Sequence, residues 1–461
     1  MPMKRTTLYF KRIISGGIFF IGCHIACATD LMDVYRDALA NDPTFKQAYS
    51  TYMANREALP QATAALLPQV LVSAQAGRFK QHVEAGTLII DADYDAQQWQ
   101  INATQTLFNY QSWMQVQKAK ASVKAAQATF NSAAQDLLLR TSQAYLDILL
   151  AQDTLRFAEA KKAANQRQYE QASERFKVGI EPITSVYEAK AGYDQSVADL
   201  ISARNREINR NENLRKLTNH VYEYISPLRN DKLPLIPPEP NRVEEWIATG
   251  IRQNYALAYA KYSMEAAREN IKAQTAGNWP TLSLQGNTTN SSASGEGTSS
   301  FFIPAYQRIS NASLLLNFPI YQGGLVASQT RQAKFQYQTS SEQYEQSYRN
   351  ILSDTRITFN TVMDGISKVE ADRQTVISRV NSLDSTTAQF EVGTRTMVDV
   401  VNATQRLFES RVQLASDQYG LIDAELRLKY LAGTLNVTDL QEINAWLNTL
   451  RVDRFPPPSA A

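Results

Sequence analysis

Arg175-Phe176-Lys177-Val178-Gly179-Ile180-Glu181-Pro182-Ile183-Thr184-Ser185-Val186-Tyr187-Glu188-Ala189 and Gln389-Phe390-Glu391-Val392-Gly393-Thr394-Arg395-Thr396-Met397-Val398-Asp399-Val400-Val401-Asn402-Ala403 are two versions of one stretch. Phe176 aligns with Phe390, Val178 with Val392, Gly179 with Gly393, Val186 with Val400 and Ala189 with Ala403. In each copy a long helical pattern runs in, glycine breaks it, and a second helical pattern runs out. A sharp turn made twice, half a chain apart, predicts a duplicated helical hairpin.

The arms of these hairpins are long. From Tyr110 to Lys177 there is neither proline nor glycine, which predicts one helix of about 100 Å at 1.5 Å per residue. Val116, Val123, Phe130, Leu137, Ala144, Ala151 and Ala158 recur at sevens, with Ala134, Ile148 and Leu155 in a companion column. In the second half Val362, Val369, Val376, Leu383 and Phe390 do the same. A sustained seven-residue period demands a partner helix and a coiled-coil seam. The Gln, Lys, Ser and Asn around the seam leave the rest of each helix wet.

Ahead of each long helix the period changes to two. Val70, Val72, Ala74 and Ala76 alternate with Leu71, Ser73 and Gln75; Trp99, Ile101, Ala103 and Leu107 alternate with Gln100, Asn102, Thr104 and Thr106. Leu282 and Leu284 against Ser283 and Gln285, then Ala312, Leu314, Leu316 and Phe318 against Ser313, Leu315 and Asn317, repeat the arrangement. Strands are expected near 69–80, 95–108, 281–288 and 308–318. The charged residues up to Asp95 and the Thr, Ser, Asn and Gly residues from Thr288 to Ser300 are expected to be loops. One greasy face and one amide-and-hydroxyl face suits a membrane barrel with lipid outside and water within. A soluble sandwich needs more strands than this chain offers.

The division expected is a signal peptide at 1–28, a first repeat at 29–219, a Pro-rich linker or equatorial segment at 220–242, a second repeat at 243–433, and an equatorial segment with a terminal tail at 434–461. The first repeat contains helices over 31–65, 110–177 and 183–218, with proline interrupting the first at Pro60 and Pro68. The second contains helices over 243–276, 322–391 and 396–432. The tail ends in Pro456-Pro457-Pro458 and reads as disordered. Lys4, Arg5, Lys11 and Arg12 precede a short apolar run, and Ala26-Cys27-Ala28 fits cleavage before Thr29. Lipidation at Cys23 is the rival reading. Both cysteines lie in this leader, so cleavage after Ala28 leaves a chain without thiols.

Bulk composition excludes other classes. The 461 residues carry a net charge of +2, no electrostatic footprint for nucleic acid. Mean hydropathy is −0.36, and after the leader no apolar run is long enough for a helical span. His82 and His220 are the histidines beyond the leader, with no metal-ligand spacing, and no nucleophile–base pair is identifiable. The sequence predicts neither an enzyme nor a cofactor. A hydrolase of envelope polymers would need a paired-carboxylate cleft that is not found.

Four strands cannot seal themselves in lipid, because a sheet with two open edges leaves backbone groups unpaired. Other copies must complete it. Eight strands from two copies would close around a filled bore; three copies give twelve, inside the range of known barrels. The fold class expected is therefore an α+β membrane protein. Its barrel, four strands per protomer, is continued by a long α-helical coiled-coil barrel built from two internal repeats; closure alone leaves eight strands and twelve both open.

Pro319-Ile320-Tyr321-Gln322-Gly323-Gly324, Val392-Gly393-Thr394-Arg395-Thr396 with Val398-Asp399-Val400, and Leu431-Ala432-Gly433-Thr434-Leu435-Asn436 resemble the TolC family of outer-membrane channel-tunnels. Arg175-Phe176 with Val178-Gly179 matches the sister turn. The resemblance spans nearly the whole mature chain. It implies a homotrimeric exit duct in the outer membrane, with a trimeric 12-stranded β-barrel and its helical tunnel in the periplasm, serving drug efflux, type I secretion or both. A periplasmic adaptor would join it to an inner-membrane pump. The resemblance also implies adaptor docking at Val178, Gly179, Ile180, Val392, Gly393 and Thr394. Of two acidic rings at the family's entrance, one falls on Asp399 and the other on Asn402. Polar links around the turn arginine, here Arg395, hold the family's entrance shut; its acidic partner position is Ser185 and a tyrosine position is Phe390. These departures leave one carboxylate ring and take the acid away from Arg395. Asp399 also follows Thr396 by three, a capping-box spacing that would serve any helix start. The competing class is a periplasmic coiled-coil scaffold with no pore.

Overall fold

The computed structural model describes residues 29–86, 88–229, 233–296 and 304–447. The leader with Cys23 and the Ala28 site, and the tail from residue 448 on, lie outside the described residues.

Four strands form one antiparallel sheet in chain order: β1 (Gln69–Ala85), β2 (Leu88–Phe108), β3 (Thr281–Glu296) and β4 (Tyr306–Asn317). Its register sorts the side chains. Val70, Ala103, Gly286 and Ala312 share one row, apolar or small throughout. The next row, Gln69, Thr104, Gln285 and Ser313, is polar throughout and faces the other way. Above it on that face Asn287 donates to Asn102, and Gln100 Nε2 donates to the same Asn102 oxygen at 2.8 Å. Leu71 and Leu315 interrupt this polar face. Among the described residues β1 and β4 each lack a neighbour on one side.

The strands outrun the sequence expectation. β1 continues to Ala85 and β2 begins at Leu88, so the charged stretch expected as a loop is a ladder. Arg78 donates to Asp93 at 2.7 Å, and Lys80 approaches the same carboxylate at 3.6 Å. Opposite charges across strands hold a pairing that hydrophobic alternation alone would not signal. β3 likewise extends to Glu296, because the Thr and Ser residues after Thr288 pair in register with β2 up to Asp93.

Two long helices leave the sheet: α4 (Tyr110–Lys177) after β2 and α8 (Leu325–Glu391) after β4. Asn109 caps α4 by accepting from the Ser112 amide at 3.0 Å. The left-handed pair Gly323 and Gly324 swings the chain into α8, which starts three residues later than expected. Each is followed by a shorter helix, α5 (Ile183–Thr218) and α9 (Met397–Ala432). Val116, Leu137, Ile148 and Ala151 of α4 and Val362, Val369 and Phe390 of α8 are buried, on the heptad columns.

Shorter helices stand in for the continuous ones expected before each strand pair. The stretch from Leu31 divides into α1 (Leu31–Asn41), α2 (Pro43–Arg56) and α3 (Ala58–Ala64). Asp42 ends α1 and caps α2, accepting from Thr44 and Phe45 amides at 3.3 and 3.1 Å, with Pro43 in the first turn. Pro60 sits in the first turn of α3, where its missing N–H costs nothing, so the break comes earlier, at Glu57. In the second repeat Asn254 separates α6 (Val243–Gln253) from α7 (Tyr255–Thr275). Its Oδ1 accepts from the Ala256 and Leu257 amides, and its Nδ2 donates to the Leu431 carbonyl at 3.0 Å.

Midway along the helices the linker and both ends of the described chain form a belt. Thr29 pairs with Ile225 and Leu228 with Leu447, and α10 (Val437–Ala445) packs beside them. The main core lies here: Leu31, Val34, Tyr145, Ile148, Leu149, Ile422, Leu426 and Leu440. The belt thus fixes α4 against α9, and below it both hairpins run on, packed against each other, to their turns.

Candidate functional site

The two helix tips carry the sequence-predicted site residues. α4 ends in a left-handed glycine cap: the Ile180 amide donates to the Arg175 carbonyl and the Gly179 amide to the Phe176 carbonyl, both at 2.9 Å. The second tip repeats this bond for bond, Thr394 to Gln389 and Gly393 to Phe390, again at 2.9 Å. Gly179 has φ +77° and Gly393 φ +81°, a region that costs a residue with a Cβ about 1–2 kcal/mol. Val178, Ile180 and Val392 are 70%, 65% and 74% exposed, an apolar trio held out in solvent at the end of the protein.

Asp399 closes a capping box at the start of α9. Its Oδ2 accepts from the Thr396 amide at 3.0 Å and the Thr396 hydroxyl at 2.9 Å. These bonds, with the nearby Arg395 charge, hold its carboxyl below the usual range, so it is ionised at neutral pH. Asn402, one turn further along α9, is exposed. Arg395 donates from Nε to Gln389 Oε1 at 3.2 Å and lies 3.9 Å from Asp399. Ser185 is half-buried at the start of α5, its amide donating to the Pro182 carbonyl at 3.2 Å. Phe390 is buried with Ala172, Ala189, Met397 and Val400. The tip therefore gathers Phe390, Arg395 and Asp399 around one turn, while Ser185 belongs to the other.

Two groups at and above the tips went unnoticed in the sequence. Arg175 Nε lies 2.9 Å from Glu181 Oε1, and the Arg175 guanidinium sits over the Phe390 ring at 5.2 Å. Aligning the two repeats puts Arg175 against Gln389 and Glu181 against Arg395, a signal that was available. Higher up, Lys368 of α8 donates to Asp417 of α9 at 2.8 Å. Asp372, one turn from Lys368, is pushed up to about 6 by burial and by the Asp417 carboxylate. Among the described residues no cluster of His, Cys, Asp and Glu is arranged for a metal, and no helix is long and apolar enough to cross a membrane.

The sequence profile described as "Outer membrane efflux protein" matches residues 34–220 and 246–434. The chain belongs to the outer membrane efflux protein family. The two matched stretches fall on the two repeats. The chain is 33% identical over 440 residues to outer membrane protein TolC of Vibrio cholerae, covering 92% of this chain and 95% of that one. It is 28% identical over 426 residues to the alkaline protease secretion protein AprF of Pseudomonas aeruginosa, covering 91% and 88%. Among solved structures, the fold is similar to VceC of Vibrio cholerae, with TM-score 0.74 at 18% identity over 87% of this chain and 96% of that one. CusC gives TM-score 0.76 at 18% identity over 89% and 93%. As a family member the protein resides in the outer membrane, with its helices forming a periplasmic tunnel.

Proposed function

We propose that three copies of this outer membrane efflux protein join their sheets into one twelve-stranded barrel and their helices into one tunnel. The duct is passive and opens or closes at the periplasmic tips. The observation that carries this reading is the sheet: an apolar row through Val70, Ala103, Gly286 and Ala312 on one face, an amide-and-hydroxyl row on the other, and edge strands β1 and β4 without an outer neighbour among the described residues. Lipid requires closure, and closure of such a sheet by threefold pooling leaves a polar, water-filled bore.

The duct serves as the exit of an efflux or type I secretion assembly, a reading supported by the efflux in the family's description and by the protease secretion named for AprF. A periplasmic adaptor docks on the tips through Val178, Ile180 and Val392, with Gly179, Gly393 and Thr394 setting the shape of the turns. Exposed apolar side chains on a rigid cap suit burial against a partner. An inner-membrane pump supplies the driving force, and no chemical step is assigned to the duct itself. Three Asp399 carboxylates, ionised and near the entrance, form a ring that favours cations; Asn402 makes no second ring. Planar-bilayer recording tests this. Asp399→Asn is expected to weaken block by a polyvalent cation such as hexamminecobalt. Unchanged block would remove Asp399 from the entrance.

A further inference from the structure

Arg175 touches both tips, and its surroundings differ from those of its counterpart. Its Nε approaches Glu181 at 2.9 Å across the first turn, and its guanidinium covers Phe390 of the second hairpin at 5.2 Å. The Glu181 side chain is only 9% exposed, and among the described residues neither carboxylate oxygen has a hydrogen-bond partner. The Arg175 charge is thus what offsets the burial of Glu181, and Glu181 in turn fixes where the guanidinium lies. The matching residues of the second turn, Gln389 and Arg395, form a strap of the same span at 3.2 Å. There Arg395 is 55% exposed, and its ion pair is with Asp399 of its own hairpin. One turn keeps its charge to itself; the other lays it on its neighbour.

Drawing the second hairpin away from the first would lift Phe390 off the guanidinium. It would also open the apolar cluster of Phe390, Met397 and Val400 against Ala172 and Ala189. Arg175 and Glu181 would travel together, since both belong to the first turn. Separation would break this stack, with the ion pair as its support, and one turn-region hydrogen bond besides, from Gln168 Nε2 to Thr404 Oγ1 at 2.9 Å. A planar cation over an aromatic face is directional, so lysine or an aliphatic partner would not reproduce it.

We propose that Arg175, aimed by Glu181 and stacked on Phe390, ties the two hairpin tips of one protomer together and sets how readily the entrance widens. This rests on the reading of the tips as the gated end of the duct.

The test uses the purified full-length protein in planar bilayers, with heat-resistant trimer on gels as a check of assembly. Arg175→Lys keeps the charge beside Glu181, Phe390→Leu keeps the burial, and Phe390→Tyr keeps the ring. Arg175→Lys and Phe390→Leu should each raise resting conductance several-fold with trimer yield unchanged. Phe390→Tyr should stay at the parent level, and the double variant should rise no further than the larger single one. Parent-level conductance in both Arg175→Lys and Phe390→Leu would overturn the proposal. So would additive effects in the double variant, or a Phe390→Tyr channel as open as Phe390→Leu. A parent that never conducts would instead defeat the duct reading itself.

Discussion

Adjacent residues of β2 offer a sharp test of which face meets lipid. Ala103 shares its row with Val70, Gly286 and Ala312, whereas Thr104 shares its row with Gln69, Gln285 and Ser313. Trp99 marks the upper rim of the apolar stretch on this strand. Ala103 lies four residues below it, about 13 Å along the strand at 3.3 Å per residue. With a tilt of about 40°, that is roughly 10 Å of depth in a band about 25 Å tall, close to the midplane. A lysine there costs about 2–4 kcal/mol per chain, or about 6–12 kcal/mol over three copies. Thr104→Lys puts the same charge into water and is expected to change stability by less than about 1 kcal/mol per chain. Urea titration of folding into phospholipid vesicles, read by heat-modifiable migration, compares the two. Equal losses for Ala103→Lys and Thr104→Lys, or a larger loss for Thr104→Lys, would refute the assignment of faces.

Other expectations follow from the helices. Gly433 also caps a helix with φ +73°, but a Cβ there would stand 2.5 Å from the Gln253 carbonyl oxygen and 2.9 Å from the Asn254 nitrogen. Gly179 and Gly393 have nothing within 4 Å. In urea denaturation Gly179→Ala and Gly393→Ala should lose about 1–2 kcal/mol, and Gly433→Ala distinctly more; equal losses would contradict the packing at the belt. Asp372, pushed up to about 6, binds a proton in the folded protein that the unfolded chain releases near pH 4. The stability it contributes is full below about pH 4 and is lost as pH rises through about 6. Asp372→Asn should match the parent at about pH 4 and exceed it in melting temperature at about pH 8; the reverse ranking would refute this.

The fold was legible because its decisive features are local. Gly179 and Gly393 sit where a helix must stop, the heptad columns show one seam, and Asp42-Pro43 spells a helix start. What stayed hidden depends on residues distant in sequence. Arg78, Lys80 and Asp93 read as solvated charge until β1 and β2 are paired, and the Thr and Ser residues after Thr288 read as loop until β2 lies beside them. Spacing gave no reason to join Arg175 to Glu181, since residues six apart do not meet on a helix. Only the left-handed turn between them brings the two side chains to 2.9 Å. At the candidate site, the capping role of Asp399 was visible from Thr396, but the burial of Phe390 under Arg175 needed both hairpins.

Native mass spectrometry of the detergent-extracted protein reaches the central claim most directly, since the sheet's unpaired edges on β1 and β4 must be satisfied by other copies. The account predicts one species with the mass of three chains, held together until the detergent is removed. A folded single chain, stable in plain buffer with its apolar strands exposed, would contradict it.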